Sequence, residues 1–198
     1  ARRVVLLASG LDEKFSAEQR LRIFDKFSVP ILGTSLLRDE AYFASRAAPG
    51  YRRLAELIEE SAYWTRDLQQ ASAKILQAAL AIIGSVMVLV LWLGISLLPA
   101  NINISIARVL VAILVFLLTS DLIGAIFRHW EVASAIGEIL QRTETAAARG
   151  YPAADILLLM SDYNATVESA PLALPGAYKL RCPSLTMRWR AYLENKQY

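Results

Sequence analysis

The 198 residues contain only one histidine, His129, and only one cysteine, Cys182. A lone cysteine excludes an intrachain disulfide, and a single thiol suits a reducing, cytosolic face. Cys182 has no neighbour at metal-ligand spacing, which argues against zinc. A Ser/His/Asp or Cys/His constellation would have to use His129, which stands beside Trp130 at the end of an apolar run. There a role at a membrane boundary is the better reading. No glycine-rich phosphate loop occurs. The chain therefore reads as neither an enzyme nor a cofactor-dependent protein. Carboxylate pairs (Asp12 with Glu13, Asp39 with Glu40, Glu59 with Glu60) lie among charged neighbours and read as solvated faces. Strand signals are just as scarce, with "VVLLA", Val4 to Ala8, the only candidate. That run is also too short for a signal-peptide core, which needs about 7–15 apolar residues. A formal net charge of only +3 gives no reason to expect a nucleic acid polymer as partner.

What the sequence does have is apolar length. Apolar residues make up 56% and the mean hydropathy is +0.39, above the roughly 45–50% apolar content of an ordinary soluble domain. The excess lies in two runs of 24 residues, "ILQAALAIIGSVMVLVLWLGISLL" (Ile75 to Leu98) and "ISIARVLVAILVFLLTSDLIGAIF" (Ile104 to Phe127). A bilayer core about 30 Å thick needs about 20 helical residues, so both runs read as transmembrane helices. Only "PANIN", Pro99 to Asn103, separates them, which predicts an antiparallel hairpin with both chain ends on one side. Arg108 is the one charge near the loop, whereas Arg66, Lys74, Arg128 and Arg142 flank the other side. The positive-inside rule then places both termini in the cytosol. The organisation expected is 1–74 N-terminal cytosolic helices, 75–127 transmembrane hairpin and 128–198 C-terminal cytosolic helices. The fold class is all-α.

Three-and-four spacing of apolar residues continues outside the runs. One unbroken helix is expected from Tyr51 to about Leu98, roughly 70 Å at 1.5 Å per residue. The return helix runs on past Arg128 to a stop at "RGYP", with Gly150 as C′ residue and Pro152 after it. Shorter helices are expected at "SAEQRLRIFDKF", where Ser16 and Gln19 form a capping box. Others are expected at "SLLRDEAYFASRA", capped by Thr34 or Ser35, between Pro152 and Pro171, and at "SLTMRWRAYLEN", capped by Ser184.

The chemistry within the runs is concentrated on two stripes. Gln77, Ala81, Gly84 and Ser85 recur at helical spacing in the first run, and small residues of this kind admit another helix. Asp121, Gly124, Ala125 and Arg128 form a similar stripe in the second. A carboxylate in hydrocarbon costs about 2.5–3.5 kcal/mol on insertion scales, so Asp121 must face protein or water. Counted from the loop, it lies level with Ala81 to Ile83 and faces the Ser85 stripe of its own hairpin or of a neighbouring copy. Two readings follow: a hydrogen bond from a protonated Asp121 to Ser85 or Gln77, or a water-filled path between several associated hairpins. Arg108 lies too far along the helix to partner Asp121. Near the C-terminus, Lys179, Arg181, Arg188 and Arg190 are interleaved with Tyr178, Trp189 and Tyr192, a mixture that could hold an anionic ligand or lipid headgroups, although a solvated helix packed on the stalk is the better reading.

"EESAYWTRDLQQASAKI" entering the hairpin, with "DYNATVESAPLALPGAYKLR" and "RWRAYLENK" after it, resembles the SLATT and related S-4TM membrane effectors of bacterial nucleotide-second-messenger (CBASS-type) immunity. The likeness is one of layout over most of the chain. It implies a non-enzymatic homo-oligomeric effector that disrupts or depolarises the inner membrane when a cyclic or oligonucleotide signal is made. The chain departs from the four-span group in having two spans. A membrane-anchored adaptor that recruits a cytosolic partner protein is the alternative. "NAT", Asn164 to Thr166, matches a glycosylation sequon but falls on a cytosolic helix.

Overall fold

The computed structural model describes residues 2–11, 18, 45–97 and 99–196. Among them every regular element is helical. The helices are α1 (Arg2–Leu11), α2 (Tyr51–Leu97), α3 (Ala100–Thr119), α4 (Leu122–Ala148), α5 (Ala153–Ser169) and α6 (Ala177–Lys196). The expected caps at Ser16, Gln19, Thr34 and Ser35 lie outside the described residues, as do Asp12, Glu13, Asp39 and Glu40. "VVLLA" lies within α1 and is not a strand. The predicted long helix is present as α2, unbroken over 47 residues.

The chain forms two compact units, each built from two stretches of sequence. The first comprises Ala1–Arg66 and Ser134–Ser169. Its core contains Leu54, Leu57, Ile58, Ile136, Ile156 and Tyr163, all essentially without solvent exposure. α1 approaches α2 closely because Gly10 has no side chain: a Cβ there would lie 2.9 Å from that of Leu54. The Gly10 carbonyl, orphaned at the end of α1, accepts from the Gly50 N–H at 2.8 Å. At the foot of α4, Gly150 (φ 77) and Tyr151 (φ 60) turn the chain. The Tyr151 N–H bonds to the Ala146 carbonyl and the Gly150 N–H to that of Ala147, which is the Schellman pattern. Arg149 then pairs with Asp155 at 2.6 Å in the first turn of α5. Asn164 is buried and donates to the Met160 carbonyl of its own helix. Glu59 and Glu60 overturn an expectation. They are 5% and 9% exposed rather than solvated, because α2 is covered on nearly every side between Leu54 and Ala62.

The second unit comprises Asp67–Ala133 and Ala170–Tyr198. Here α2 and α3 carry the two apolar runs. Both belong to helices long and apolar enough to cross a membrane, and 0% and 11% of their most apolar windows is buried within the protein. Their mutual contact is a regular seam. On α2 the partly covered positions are Leu76, Leu80, Ile83, Met87, Val90 and Gly94; on α3 they are Asn103, Ile106, Leu110, Ile113 and Leu117. Alternating steps of three and four are the signature of left-handed knobs-into-holes packing. The seam closes at the top through Gly94, where a Cβ would sit 3.0 Å from Asn103 Oδ1 and 3.7 Å from Ile106 Cδ1.

The loop is tighter than expected. Pro99 (φ −69, ψ 156) is the N-cap of α3, so Ala100 to Asn103 form its first turn rather than a linker. The Pro99 carbonyl accepts from the N–H groups of Ile102 and Asn103. This moves the register by about a turn: with Gly94 against Asn103, Asp121 lies about level with Leu76, not with Ala81 to Ile83. In α6 two features also differ from expectation. The helix starts at Ala177, so Ser184 lies inside it and donates to the Arg181 carbonyl at 2.9 Å. Pro183 is an internal residue whose missing N–H leaves the Lys179 carbonyl without its helical donor.

Gly94→Leu should splay the hairpin's closed end and lower stability by roughly 1–3 kcal/mol, the usual cost of overpacking. Gly84, by contrast, meets nothing within 4 Å, and Gly84→Leu should leave the single chain's fold within about 0.5 kcal/mol of wild type. Thermal unfolding of the two variants in detergent, at protein concentrations that keep the chain monomeric, measures the difference.

Candidate functional site

Two groups of polar residues stand out in the second unit: an elbow within the second apolar run and a polar clamp where the first run begins. The elbow answers why an acid occurs in "LLTSDLIGAIF". The second run is not one helix. α3 ends at Thr119, α4 starts at Leu122, and Asp121 between them has φ 49. Asp is one of the few residues besides Gly that enters this left-handed region readily. Breaking a helix frees backbone groups that need other partners. They do so locally. Thr119 Oγ1 donates to the Val115 carbonyl at 2.9 Å and Ser120 Oγ to that of Leu117 at 3.1 Å. The Ser120 N–H bonds to the Phe116 carbonyl, and the Asp121 carbonyl accepts the first N–H of the next helix, from Ala125, at 2.9 Å.

The Asp121 side chain folds back along α4. Any Cβ on Gly124 would lie 2.2 Å from Asp121 Oδ1, so the glycine is what makes room for the carboxylate. Arg128 reaches back to Asp121 Oδ2 at 2.9 Å. The structure thus unites Asp121, Gly124 and Arg128 of the predicted stripe. The acid's partner is Arg128, not Ser85 or Gln77.

The other stripe is not brought to this site. Apart from Gly94 and Asn103 at its closed end, the α2–α3 seam is made of bulky apolar residues, and Gln77, Ala81 and Ser85 are exposed on a different face of α2. Within its own hairpin this stripe therefore touches neither Asp121 nor α3. Arg108 is exposed on the third turn of α3. Beside the seam an apolar groove of about 510 Å³ opens between α2 and α3, lined by residues such as Ile82, Val86, Val90, Val109 and Ile113, with Ser105 at its edge.

The clamp uses residues that spacing alone did not single out. Asp67 accepts two hydrogen bonds from the Arg181 guanidinium, at 2.8 and 2.6 Å, and has Arg188 at 3.9 Å. Planar bidentate pairing of this kind is the strong form of the Arg–carboxylate interaction. About a turn and a half of α2 further on, Ser72 Oγ accepts from the Leu174 N–H at 3.1 Å. Gln69 Nε2 donates to the Pro171 carbonyl at 3.0 Å, which turns its Oε1 toward His129 Nδ1. Because Oε1 can only accept, Nδ1 carries the proton of the neutral imidazole. His129 is thus 3% exposed and hydrogen-bonded, rather than lying at an open boundary. Burial, with Arg128 next to it, holds its pKa below the ordinary value of 6.5. Of the four C-terminal cations expected to meet an anion, Arg181 is committed to Asp67, and Arg188 lies near it. Lys179 and Arg190 are exposed. Among the described residues no group of three His, Cys, Asp or Glu side chains is placed to hold a metal. Cys182 is half-buried. The sequence signal for the clamp was the run of polar residues Asp67, Gln69, Gln70 and Ser72 on the last turns before Ile75. No protein-family model matches the chain, and no curated protein or solved structure matches it either.

Two outcomes follow. Gly124→Ala should expel the Asp121 carboxylate at a cost of roughly 1–3 kcal/mol. The same change in an Asp121→Gly background should cost much less, and a double-mutant cycle of unfolding midpoints measures the coupling. For His129 the folded-state pKa is depressed, so the folded protein binds fewer protons than the unfolded chain. Its contribution is then complete above pH 6.5 and erodes as pH falls below that value. Melting temperature in detergent should drop between pH 7 and pH 5, and His129→Asn should flatten the decline.

Proposed function

We propose that the chain is an integral protein of the bacterial inner membrane, crossing it twice as a helical hairpin with both termini in the cytosol. In this reading it oligomerises and depolarises or permeabilises the membrane on activation in antiphage defence. The observation that carries the membrane part is the uncovered apolar surface of the two long helices, with 0% and 11% of their most apolar windows buried. A core helix of a soluble protein would have that surface covered. The distribution of Arg66, Lys74, Arg128 and Arg142 against Arg108 supports the orientation. The outward stripe of Gln77, Ala81, Gly84 and Ser85 supports assembly, since it is free to receive a second hairpin. Two helices cannot enclose a pore, so leakage requires several copies. The defence role, with a nucleotide second messenger as trigger, is supported by the layout shared with SLATT-type effectors.

A second reading, a membrane-anchored adaptor for a cytosolic partner, is favoured by one feature. The groove between α2 and α3 is apolar apart from Ser105, and Asp121 is neutralised by Arg128, so one hairpin offers no polar path.

Reporters fused after Tyr198 and inserted at Pro99 should report the cytosol and the opposite side, respectively; the reverse would overturn the orientation. A potential-sensitive dye in phage-challenged cells then separates the two readings. Wild type should depolarise the membrane, and Asp121→Asn, at matched abundance, should do so several-fold less. A wild-type chain that inserts with the stated topology yet leaves the potential intact is an anchor.

A further inference from the structure

The segment between α5 and α6, "APLALPG", presents Leu172 to solvent at 93% exposure, the highest of any large apolar residue described. It is not a loose loop tip. Pro171 is held through its carbonyl by Gln69, and Leu174 through its N–H by Ser72. Both attachments flank Leu172 within the second unit and hold it outward. They come from the turns of α2 immediately before Ile75. Ser72 precedes that residue by three positions, or about 4.5 Å of helix. Leu172 is thus fixed at the level where the apolar run starts.

α6 continues the same surface. Leu185 and Trp189 are buried, and Asp67 draws Arg181 to the inner side. The outward face carries Lys179, Leu180, Met187 and Arg190, with Leu180 and Met187 at 74% and 68% exposure. Glu194, in the last turn, is its one acid. Lys74, exposed on α2 one residue before the apolar run, adds another cation at that level. Exposed leucines and a methionine among lysine and arginine, at the entry of an apolar helix, match an interface that is anionic at the surface and apolar just beneath.

We propose that the Leu172 segment and the outward face of α6 rest on the cytosolic surface of an anionic bilayer, with Leu172 inserted below the headgroups and Lys74, Lys179 and Arg190 among the phosphates. The proposal depends on the reading of the hairpin as membrane-spanning and adds to it. The C-terminal helix becomes a second membrane contact, held in place by the Asp67 clamp.

The test uses the full chain with Cys182→Ser, reconstituted in vesicles of phosphatidylglycerol and phosphatidylethanolamine. A single cysteine at position 172, and separately at position 88, carries an environment-sensitive fluorophore. Position 88 lies mid-run on α2 and reports the spanning reading alone. The expected result is quenching of the 172 probe by lipids with a shallow nitroxide and protection from aqueous iodide. Quenching of the 88 probe should come from deep nitroxides. Replacing Lys179 and Arg190 by Glu, or using phosphatidylcholine vesicles, should shift the 172 probe several-fold toward iodide. If the 88 probe is lipid-quenched while the 172 probe is open to iodide, the proposal fails and the spanning reading stands. If the 172 probe is shielded from both quenchers, protein covers it, and the bilayer assignment is overturned. Lipid quenching at 172 that ignores both charge reversal and headgroup would overturn the anionic assignment. An 88 probe open to iodide would overturn the spanning reading itself.

Discussion

Among the described residues between Ile75 and Thr119, α2 and α3 meet along one seam, and much of their remaining apolar surface is exposed. In water that surface would be removed by association, since apolar area is what the solvent drives out. In lipid it costs nothing, but then every backbone group in the run must find a partner inside the protein. Three local features are compatible with a lipid setting. α2 and α3 are unbroken through their apolar stretches, the connection between them is a single proline-capped turn, and the one break in the second run is lined by Thr119, Ser120 and Asp121. Their side chains and carbonyls meet the groups that the break exposes.

The same constraint separates two kinds of polar residue. Those of the stripe, Gln77 and Ser85, lie on an open face of α2 and belong to whatever approaches the hairpin. Those of the clamp, Asp67, Gln69 and Ser72, precede the apolar run and are used internally. A partly buried carboxylate such as Asp67 needs a partner of opposite charge, and a bidentate arginine satisfies both of its oxygens. The clamp therefore fixes where α6 lies within its unit and which of its cations remain outward.

Much of this was legible in the sequence because it rests on period and length. Helix α2, the hairpin and the Gly150 stop all follow from three-and-four spacing, run length and a glycine before a proline. What was not legible depends on geometry that spacing does not encode. Asp121 breaks the helix through a positive φ that aspartate tolerates but spacing does not announce, and its carboxylate finds room at Gly124 and a partner in Arg128. Pro99 was read as the start of a linker, whereas its extended backbone serves equally as an N-cap, and a turn's difference there displaced every facing pair along the hairpin. Within the single chain the small-residue stripe is not the α2–α3 contact; that seam uses Leu, Ile, Val and Met, with Gly94 and Asn103 at its end. Glu59 and Glu60 read as solvated because charged neighbours flank them in sequence, while the packing around α2 decides their burial. Spacing marks the C-terminal helix as one packed on the stalk but does not name its contact, the pairing of Arg181 with Asp67, 114 residues away.

The elbow and the clamp have different mechanical consequences. The Asp121–Arg128 pair joins the break to α4 and makes no bridge to α3. A change in the angle between α3 and α4 can therefore leave this pair intact. The clamp is the opposite case. Gln69 joins α2 to His129 on α4 and to Pro171, so α2 and α4 cannot part there without breaking hydrogen bonds to a buried imidazole and a backbone carbonyl. Leaving such groups without partners costs about 1–3 kcal/mol each. Motion of the second apolar run is thus cheapest at Asp121, above a base that the clamp holds together. The residues best placed to control it are those that shape the elbow: Thr119, Ser120 and Gly124.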